Sequence, residues 1–376
     1  MKPKKTYWEI FAGLSGPAVI TAPENICYLT GFYTTARRPG QLGTTCTVIT
    51  ETKLFFLCPR NWKMEVEKQL NEGGWKESIE ILTYGGPKHE LAELLVNCLK
   101  AAKVSHEIGI EQECLDLELY LAMEAEWPGV KFRNITQILN QERAVKTKDE
   151  IAALRLSASL AIQTMEYAQC VVRPGIREFE MAAELEYFMR KNGSDGTPFT
   201  MKALSGENTV RTINIPGNRA VCEGDMILFD FGAVVNRYAS DWTRSFVCGT
   251  ASSDQLELYR LVWTMERQCI NLIKPGVPVK RLMEAALEIA GNHRFGAYFN
   301  PYLGHGIGLL SQEWPALTSQ SEAILQENMV ITIEPGIYIP GIGGVRIEDE
   351  VVITKEGVEI LTGLEREVFE LKAEGC

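Results

Sequence analysis

The sequence contains little histidine, no excess of positive charge and no long apolar run. Only four histidines occur among 376 residues, and the formal net charge is -11. An acidic surface repels phosphate backbones, so nucleic acid is not expected as a partner. No apolar run reaches the roughly 18 residues that a transmembrane helix needs. Glu9 and Gly13 interrupt the apolar part of the N-terminal segment, so we predict neither a signal peptide nor a membrane partner.

The ten cysteines are scattered from Cys27 to Cys376, and no two of them form a CxxC pair. Most lie in apolar contexts such as "LFFLCPR" and "LLVNCLK", which is typical of buried thiols. We therefore expect a cytoplasmic protein with no disulfide framework. A zinc site built from thiolates is disfavoured, because no cysteine spacing supports it.

The order of helix and strand patterns predicts two domains. In the first third, strand-like runs such as "KLFFLC" alternate with helical runs such as "PKHELAELLVNCLKAAK", which indicates an α/β domain over residues 1–143. A polar stretch then precedes a long amphipathic helix, which we expect Thr147 or Asp149 to cap. Over residues 144–376 helices come first and long strands follow, which is typical of an α+β domain.

Two aspartates in "ILFDFGAVVNRYASDWTRSF" suggest a cation site. Asp230 and Asp241 stand eleven residues apart in two strand-like runs that flank a turn. A turn centred on Val235 and Asn236 would place the two aspartates opposite each other on one face of the hairpin. Two carboxylates at that distance repel each other unless a cation lies between them.

Two glutamates and one histidine extend this set. Glu334 in "MVITIEPGIYI" and Glu348 in "GGVRIEDEVVIT" lie in apolar runs, where an unpaired carboxylate is costly. With His305 of "LGHGIGL", four carboxylates and one imidazole suit two divalent ions such as manganese, cobalt or iron. Each residue alone has an ordinary explanation, such as an ion pair with Arg244 or Arg346. The joint occurrence on four apolar segments is far more specific.

These motifs resemble those of the pita-bread metallohydrolases: Xaa-Pro dipeptidase (prolidase), aminopeptidase P, methionine aminopeptidase and creatinase. The motifs "SGENT", "SDWTRSF", "EWP" and "EREVFEL" are most similar to those of prokaryotic prolidases. The similarity extends from about Ala144 to the C-terminus. "PENICYLTGF" resembles the opening motif of the N-terminal domain in those enzymes. The resemblance implies an α+β pita-bread domain in residues 144–376, preceded by a smaller α/β domain of the creatinase type in residues 1–143.

The resemblance also implies roles and partners. Asp230 would bind one ion, and Asp241 and Glu348 would bridge both. His305 and Glu334 would hold the other ion, and Glu334 would also be the catalytic acid/base. The implied cofactor is a pair of divalent ions, with manganese first and cobalt, iron or zinc as alternatives. The resemblance further implies that the protein acts on a small peptide or amide and forms a homodimer.

Two positions depart from the family pattern. The family places one histidine before Glu-Trp-Pro and another eight residues beyond the serine of the Ser-Gly motif. Here Gln312 and Ile213 stand at those places. The family histidines hydrogen-bond the substrate; glutamine still donates a hydrogen bond but does not titrate, and isoleucine does neither. Losing one oxyanion-type donor typically costs on the order of a hundredfold in rate.

Three hypotheses follow from this departure. The chain is an Xaa-Pro peptidase with a rearranged substrate site, a two-metal hydrolase of another amide or C–N bond, or a metal-binding homologue that acts by binding alone. The close match of the remaining motifs favours the first hypothesis. Retention of all four carboxylates argues against the third, because metal chemistry is the reason to keep them.

Three arginines are predicted to contact the substrate. In similar dimeric enzymes the N-terminal domain of one subunit reaches toward the active site of the other. Arg37 and Arg38 of "YTTARRPGQLG" would then offer a cation to a substrate carboxylate, since arginine binds carboxylates bidentately. Two solvated loop arginines are the alternative. Arg346, close to the predicted ligand Glu348, is the third candidate.

Overall fold

The chain divides into two compact units, Met1–Arg143 and Ala144–Cys376, in the computed structural model. The structure describes residues 7–34, 44–73, 79–104, 106–363 and 369–371. No helix within those ranges combines the length and the hydropathy needed to cross a membrane. Free thiols are present at Cys27, Cys46, Cys58, Cys98, Cys114, Cys222, Cys248 and Cys269. Cys170 is disulfide-bonded.

The first unit contains one six-stranded mixed sheet, within the described residues. Its strands are β1 (Ala18–Ile20), β2 (Cys46–Ile49), β3 (Leu54–Pro59), β4 (Ile79–Tyr84), β5 (Glu107–Ile110) and β6 (Lys131–Asn134), and they lie in the order β4-β3-β2-β1-β5-β6. The helices are α1 (Tyr7–Ile10), α2 (Pro23–Thr30), α3 (Lys63–Glu72), α4 (Lys88–Ala101), α5 (Leu117–Glu126) and α6 (Thr136–Ala144). The central strands are buried on both faces and the edge strands are partly exposed, as expected for a sheet covered by helices.

The second unit begins with helices and ends with strands, as predicted. Its helices are α7 (Lys148–Val171), α8 (Glu178–Lys191), α9 (Ser253–Leu272) and α10 (Val279–Gly291). Thr147 caps α7: its side chain accepts from the amide of Glu150, and the Glu150 carboxylate accepts from the amide of Thr147. This reciprocal pair satisfies two amides that the first helical turn leaves free.

The strands of the second unit form several small sheets. They are β7 (Lys202–Ser205), β8 (Met226–Phe231), β9 (Val234–Val235), β10 (Tyr238–Ala239), β11 (Trp242–Cys248), β12 (His305–Gly306), β13 (Glu313–Ala316), β14 (Val330–Ile333), β15 (Gly336–Ile339), β16 (Gly343–Arg346), β17 (Asp349–Ile353), β18 (Val358–Ile360) and β19 (Glu370–Leu371). Among the described residues, the two larger sheets have the orders β19-β11-β8-β7 and β13-β12-β14-β17-β18.

A pair of helices packs against each of the larger sheets. The apolar residues of α7 and α8 share a core with Phe229, Phe231 and Trp242. Those of α9 and α10 share a core with Ile331 and Ile333. Because successive strand residues point to opposite faces, the residues between these apolar ones face away from the helices. Polar side chains on the two sheets are thereby directed to the same side.

The hairpin between the two aspartates turns one residue later than the centre at Val235 and Asn236 that would place them directly opposite each other. Val235 pairs with Tyr238, so the turn residues are Asn236 and Arg237, both with positive φ. Asp230 therefore pairs with Thr243 instead of Asp241. The shift amounts to two positions in register, and a shift of two keeps a side chain on the same face. The two aspartates are therefore not directly opposite each other, as a turn centred on Val235 and Asn236 would place them, but they still share a face.

Candidate metal centre

A cavity of about 660 Å³ lies in the second unit, where polar residues of both larger sheets meet. Its described walls include four carboxylates, two cations and one imidazole, which belong to Asp230, Asp241, Glu334, Glu348, Lys202, Arg346 and His305. All five predicted metal ligands thus line one cavity. The strand alternation that buries their apolar neighbours exposes these side chains to it.

Three of the predicted ligands converge most closely. One ligand atom each from Asp241, His305 and Glu348 lies within 4.8 Å of the others. Glu334 is beside them, with its Oε1 atom 3.2 Å from the Nε2 atom of His305. The Oδ2 atom of Asp241 is 3.5 Å from the same Nε2. Asp230 lies on the same face as Asp241 but outside the three-residue group.

Local backbone geometry orients His305. Its Nδ1–H donates to the carbonyl of Gly306 at 2.9 Å, since a carbonyl oxygen only accepts, and this leaves Nε2 directed at the carboxylates. Gly304 has a φ of 143°, and a Cβ at that position would collide with the carbonyl of Thr332. The glycine before the histidine is therefore required by the close approach of two strands.

Hydrogen bonds from neighbouring strands hold the carboxylates in place. The Thr243 hydroxyl donates to Oε2 of Glu348 at 2.6 Å, and the Thr332 hydroxyl lies 3.4 Å from Oε1 of Glu334. The backbone amide of Asp241 donates to Oε1 of Glu350 at 2.6 Å. Such contacts restrict the rotamers of buried acids and direct their free oxygens into the cavity.

The protonation equilibria of the cluster are strongly perturbed. Burial, reinforced by the charge of Asp230, raises the pKa of Asp241 to about 7. Burial and the neighbouring acids raise the pKa of Glu348 well above its usual value. Burial alone would lower the pKa of His305, but Asp241 and Glu334 raise it well above 6.5. Packing several acids in a dry pocket disfavours their ionised forms unless a cation compensates them.

The donor set fits a divalent ion. Oε1 of Glu348 is buried and lacks a hydrogen-bond partner among the described residues, although the other oxygen of that carboxylate is bonded. Buried polar atoms without partners are rare, and an ion is one of their common explanations. Carboxylate oxygens with one imidazole nitrogen suit manganese, cobalt, iron or zinc.

Asp230 has a different environment from the other acids. Its Oδ2 atom accepts from Nη2 of Arg346 and, at 2.7 Å, from Nζ of Lys202. Arg346 is held in turn by the hydroxyls of Thr243 at 3.0 Å and Tyr338 at 2.9 Å. The sequence interpretation missed Lys202 and Tyr338. Lys202 carries the signal that revealed the glutamates, a charged residue within the apolar run "FTMKALSG".

The remaining predicted substrate residues lie at the rim or outside the described structure. Ile213 and Gln312 both line the cavity, on segments that are not strands, and Ile213 is 93% exposed. Glu313, the residue after Gln312, forms a buried ion pair with Lys146 at 3.3 Å. Arg37 and Arg38 lie outside the described residues.

Family models match both parts of the chain. The model of metallopeptidase family M24 matches residues 152–355, and the creatinase/prolidase N-terminal domain model matches residues 13–145. The chain is 36% identical over 346 residues to the YkvY protein of Bacillus subtilis, covering 92% of this chain and 93% of that one. It is 39% identical over 239 residues to the Xaa-Pro dipeptidase of Pyrococcus furiosus, covering 64% and 69% of the two chains.

Solved structures show the same architecture. An Xaa-Pro dipeptidase from Bacillus anthracis superimposes with a TM-score of 0.85 at 29% identity and covers 96% of both chains. An X-Pro aminopeptidase from Thermotoga maritima gives a TM-score of 0.82 at 28% identity, covering 95% of this chain and 98% of that one. The second unit therefore has the pita-bread fold, preceded by an α/β domain of the creatinase type.

Proposed function

The chain belongs to metallopeptidase family M24, a family of peptidase-type hydrolases that use divalent metals, and we propose that it cleaves Xaa-Pro dipeptides with two ions bound in this cavity. The convergence of Asp241, His305 and Glu348 within 4.8 Å carries the proposal. An acid cluster of this density, with an orphaned carboxylate oxygen, has the composition of a binuclear site.

The proposed ligand assignment is the one that the family resemblance implies, and it is supported by the presence of all five side chains in the wall of one cavity. Asp230 and the carboxylates of Asp241 and Glu348 would hold one ion, and His305 and Glu334, with the same two carboxylates, would hold the other. Manganese is the first candidate, with cobalt, iron or zinc as alternatives. When bound, the ions supply Lewis acidity toward the scissile carbonyl and lower the pKa of a water molecule toward neutrality.

Glu334 is the proposed acid/base. It is less enclosed than the other acids, with 13% of its side chain exposed, so it borders both the cluster and the cavity. Its Oε1 atom is near the Thr332 hydroxyl and Nε2 of His305, while Oε2 is 3.8 Å from Nε of Arg346. In this role the carboxylate accepts the proton of the attacking water and returns it to the leaving amine.

The rim determines substrate choice in this proposal. Gln312 donates an amide hydrogen bond to the substrate, and Ile213 contributes an apolar contact where a hydrogen-bond donor would suit a peptide better. Arg346, Arg37 and Arg38 are the proposed partners of a substrate carboxylate. The exposed isoleucine favours a second candidate, a hydrolase of a different amide or C–N bond in a less polar substrate.

Three further features belong to the proposal. Residues 1–143 and 144–376 are the proposed domains, and the division of the chain into compact units at the same residues supports them. A homodimer is proposed, so that the segment with Arg37 and Arg38 reaches a partner's cavity, and a cytoplasmic location accompanies it. Light scattering at micromolar concentration tests the dimer, and a stable monomer would contradict it.

Metal analysis and a substrate panel test the proposed function. Protein saturated with manganese or cobalt should hold about two equivalents. It should hydrolyse at least one Xaa-Pro dipeptide, and Glu334→Gln should abolish turnover while the circular dichroism spectrum stays unchanged. Protein that binds no metal would overturn the whole mechanism. Full metal occupancy without Xaa-Pro turnover would favour the second candidate, a hydrolase of a different amide or C–N bond.

A further inference from the structure

One wall of the cavity is a loop that exposes two large apolar side chains. Residues 211–217, called the rim loop below, follow the short 3-10 helix Gly206–Val210. Four of the loop residues line the cavity, namely Thr212, Ile213, Asn214 and Ile215. Ile213 is 93% exposed and Ile215 is 62% exposed, so the protein itself buries little of the loop. A loop with few buried apolar contacts opens readily unless other residues hold its ends.

Glu178 holds both ends of the rim loop. It is the first residue of α8, and it is fully buried. Before the loop, the amide of Ser205 donates to Oε1 of Glu178 at 2.8 Å, and the side-chain amide of Asn208 lies 3.0 Å from both carboxylate oxygens. At the end of the loop, the amide of Gly217 donates to Oε2 at 3.0 Å. One carboxylate therefore bonds to the chain on either side of the exposed isoleucines.

A second row of contacts fixes the donors that face Glu178. The Ser205 hydroxyl donates to Oε1 of Glu178 at 3.0 Å and accepts from Nη1 of Arg219 at 2.8 Å. Arg219 is held in turn by two hydrogen bonds to Asp225. Hydrogen bonds to a charged acceptor are strong, and a buried carboxylate is costly without them. The acid therefore favours one arrangement of the segments that carry its donors.

The hydrogen bonds of Glu178 serve the loop and not its own helix. The start of α8 is capped by Glu180, whose carboxylate accepts from the amide of Arg177 at 2.8 Å. The described hydrogen bonds of the Glu178 carboxylate reach residues 27 to 39 positions further along the chain. A carboxylate accepts on both oxygens, whereas a glutamine of the same size accepts on one only. Glutamine at this position would hold one end of the loop and leave the donor of the other end without its partner.

We propose that Glu178 is a positioning residue for substrate binding, because it fixes the rim loop so that Ile213 and Ile215 stay at the cavity wall. The two isoleucines contact the apolar part of a substrate, while Glu178 touches neither the substrate nor the reacting atoms. This inference rests on the proposed function, since it assumes a substrate in this cavity. It adds that a buried acid at the start of α8 sets the affinity for that substrate through the loop.

Limited trypsin digestion tests the position of the rim loop without any substrate. Arg211 is exposed at the start of the loop, and its cleavage requires local opening, so the cleavage rate reports how often the loop opens. Glu178→Gln should raise the rate of cleavage after Arg211 about tenfold or more, as measured by mass spectrometry of the fragments. Glu111→Gln is the matched control and should leave this rate unchanged. Glu111 is a buried acid of the first unit that likewise accepts from two backbone amides and an asparagine.

Steady-state kinetics of the metal-loaded protein tests the consequence for binding. For the best Xaa-Pro dipeptide, Glu178→Gln should raise KM about fivefold or more and leave kcat within about twofold, because the loop contacts the substrate away from the reacting atoms. A variant that was merely less stable would lose kcat in proportion to its folded fraction and keep the wild-type KM. The split between KM and kcat therefore separates positioning from a general structural role.

The outcomes also separate the inference from the proposed function. Asn208→Ala is a second variant should Glu178→Gln not fold, since it removes a donor before the loop and leaves the contact of Glu178 with Gly217 in place. It should accelerate cleavage after Arg211 by a smaller factor. Cleavage that is no faster in the folded variants, or a loss of kcat at constant KM, would refute the role of Glu178. A wild type that hydrolyses no Xaa-Pro dipeptide would refute the proposed function, and the cleavage rate would still decide whether Glu178 fixes the loop.

Discussion

The two sides of the cavity are built on different kinds of structure. On the acid side, Asp241, His305 and Glu348 lie on or directly beside strands and are each no more than 6% exposed. On the rim, Ile213 and Gln312 lie on connecting segments, and Ile213 is 93% exposed. Strand register determines the sheet face on which the three acid-side residues lie, whereas connecting segments tolerate substitution. With the proposed roles, this difference would allow the residues that bind metal and those that select the substrate to change independently.

The largest expected effect comes from breaking the acid side. Asp241→Asn should remove manganese binding at the close group and lower turnover roughly a thousandfold or more, because the lost ligand contacts both proposed ions. Metal analysis and turnover of the best Xaa-Pro dipeptide measure it. Asp195→Asn, at an exposed position, is the control and should change neither quantity. Undiminished metal content in Asp241→Asn would place the ions elsewhere.

The second-largest effect tests whether a buried ion pair stabilises the segment that carries Gln312. Lys146 and Glu313 form an ion pair whose side chains are 1% and 3% exposed, and Oε1 of Glu313 accepts from the amide of Leu310. Lys146→Met should lower the free energy of unfolding by about 3–5 kcal/mol, because removing one partner of a buried ion pair is strongly destabilising.

Denaturant unfolding of this variant is best compared with that of a surface pair. Arg155 and Glu359 form an ion pair at 47% and 44% exposure, and Arg155→Met should cost about 0–1 kcal/mol. Equal losses of unfolding free energy in Lys146→Met and Arg155→Met would show that burial of the ion pair at Glu313 adds nothing to its contribution to stability. A large loss at Lys146 would show that the segment carrying Gln312 is anchored by the buried ion pair at Glu313.

A smaller effect tests the rim chemistry directly. The double variant Ile213→His, Gln312→His should hydrolyse Xaa-Pro dipeptides about tenfold faster or more, because each histidine restores a donor directed at developing charge. The two changes should be non-additive, since both groups act on one bound substrate. Ile215→His is the matched control, being an exposed isoleucine of the same cavity wall, and should give no gain. Slower turnover in the double variant would indicate a working site of a different design.

The same contrast explains what the sequence could predict. Glu334 and Glu348 were identifiable because a carboxylate inside an apolar run needs a partner, and the structure brings both to the cavity with His305. The register of the hairpin could be given only conditionally, because the position of a two-residue turn depends on which residues adopt positive φ, here Asn236 and Arg237. A register difference of two positions leaves a side chain on the same face of the sheet, so Asp241 still shares a face with Asp230.

Other features were outside the reach of sequence patterns. The opposition of Lys202 and Asp230 arises from the pairing of β7 with β8, which are separated by a long connection. No periodicity within either segment reports on their mutual register. The ion pair of Lys146 with Glu313 joins positions 167 residues apart and is equally invisible to local patterns. Long-range pairing, not local propensity, determines these contacts.

The smallest expected effect is a pH dependence of stability that belongs to the acid side alone. In metal-free protein the pKa of Asp241 is raised to about 7, against roughly 3.9 for an unfolded aspartate. Between those values the folded state holds a proton that the unfolded state lacks, so stability falls as pH rises. The raised pKa of His305 acts in the same direction, since its contribution is complete below about 6.5 and is lost as pH rises through the folded pKa.

Thermal unfolding from pH 5 to pH 8 measures this dependence. The Tm of metal-free protein should fall by a few degrees over the range, whereas manganese should stabilise the protein increasingly, because a bound ion replaces the protons of Asp241 and His305. Asp241→Asn should flatten the metal-free slope. The rim variant Gln312→Ala should leave it unchanged, because glutamine does not titrate. A metal-free Tm that rises toward pH 8 would mean that the acids are compensated by cations already within the fold, with Lys202 and Arg346 sufficient for the task. The acid side would then be a structural ion network, and its contrast with the rim would no longer be one between chemistry and specificity.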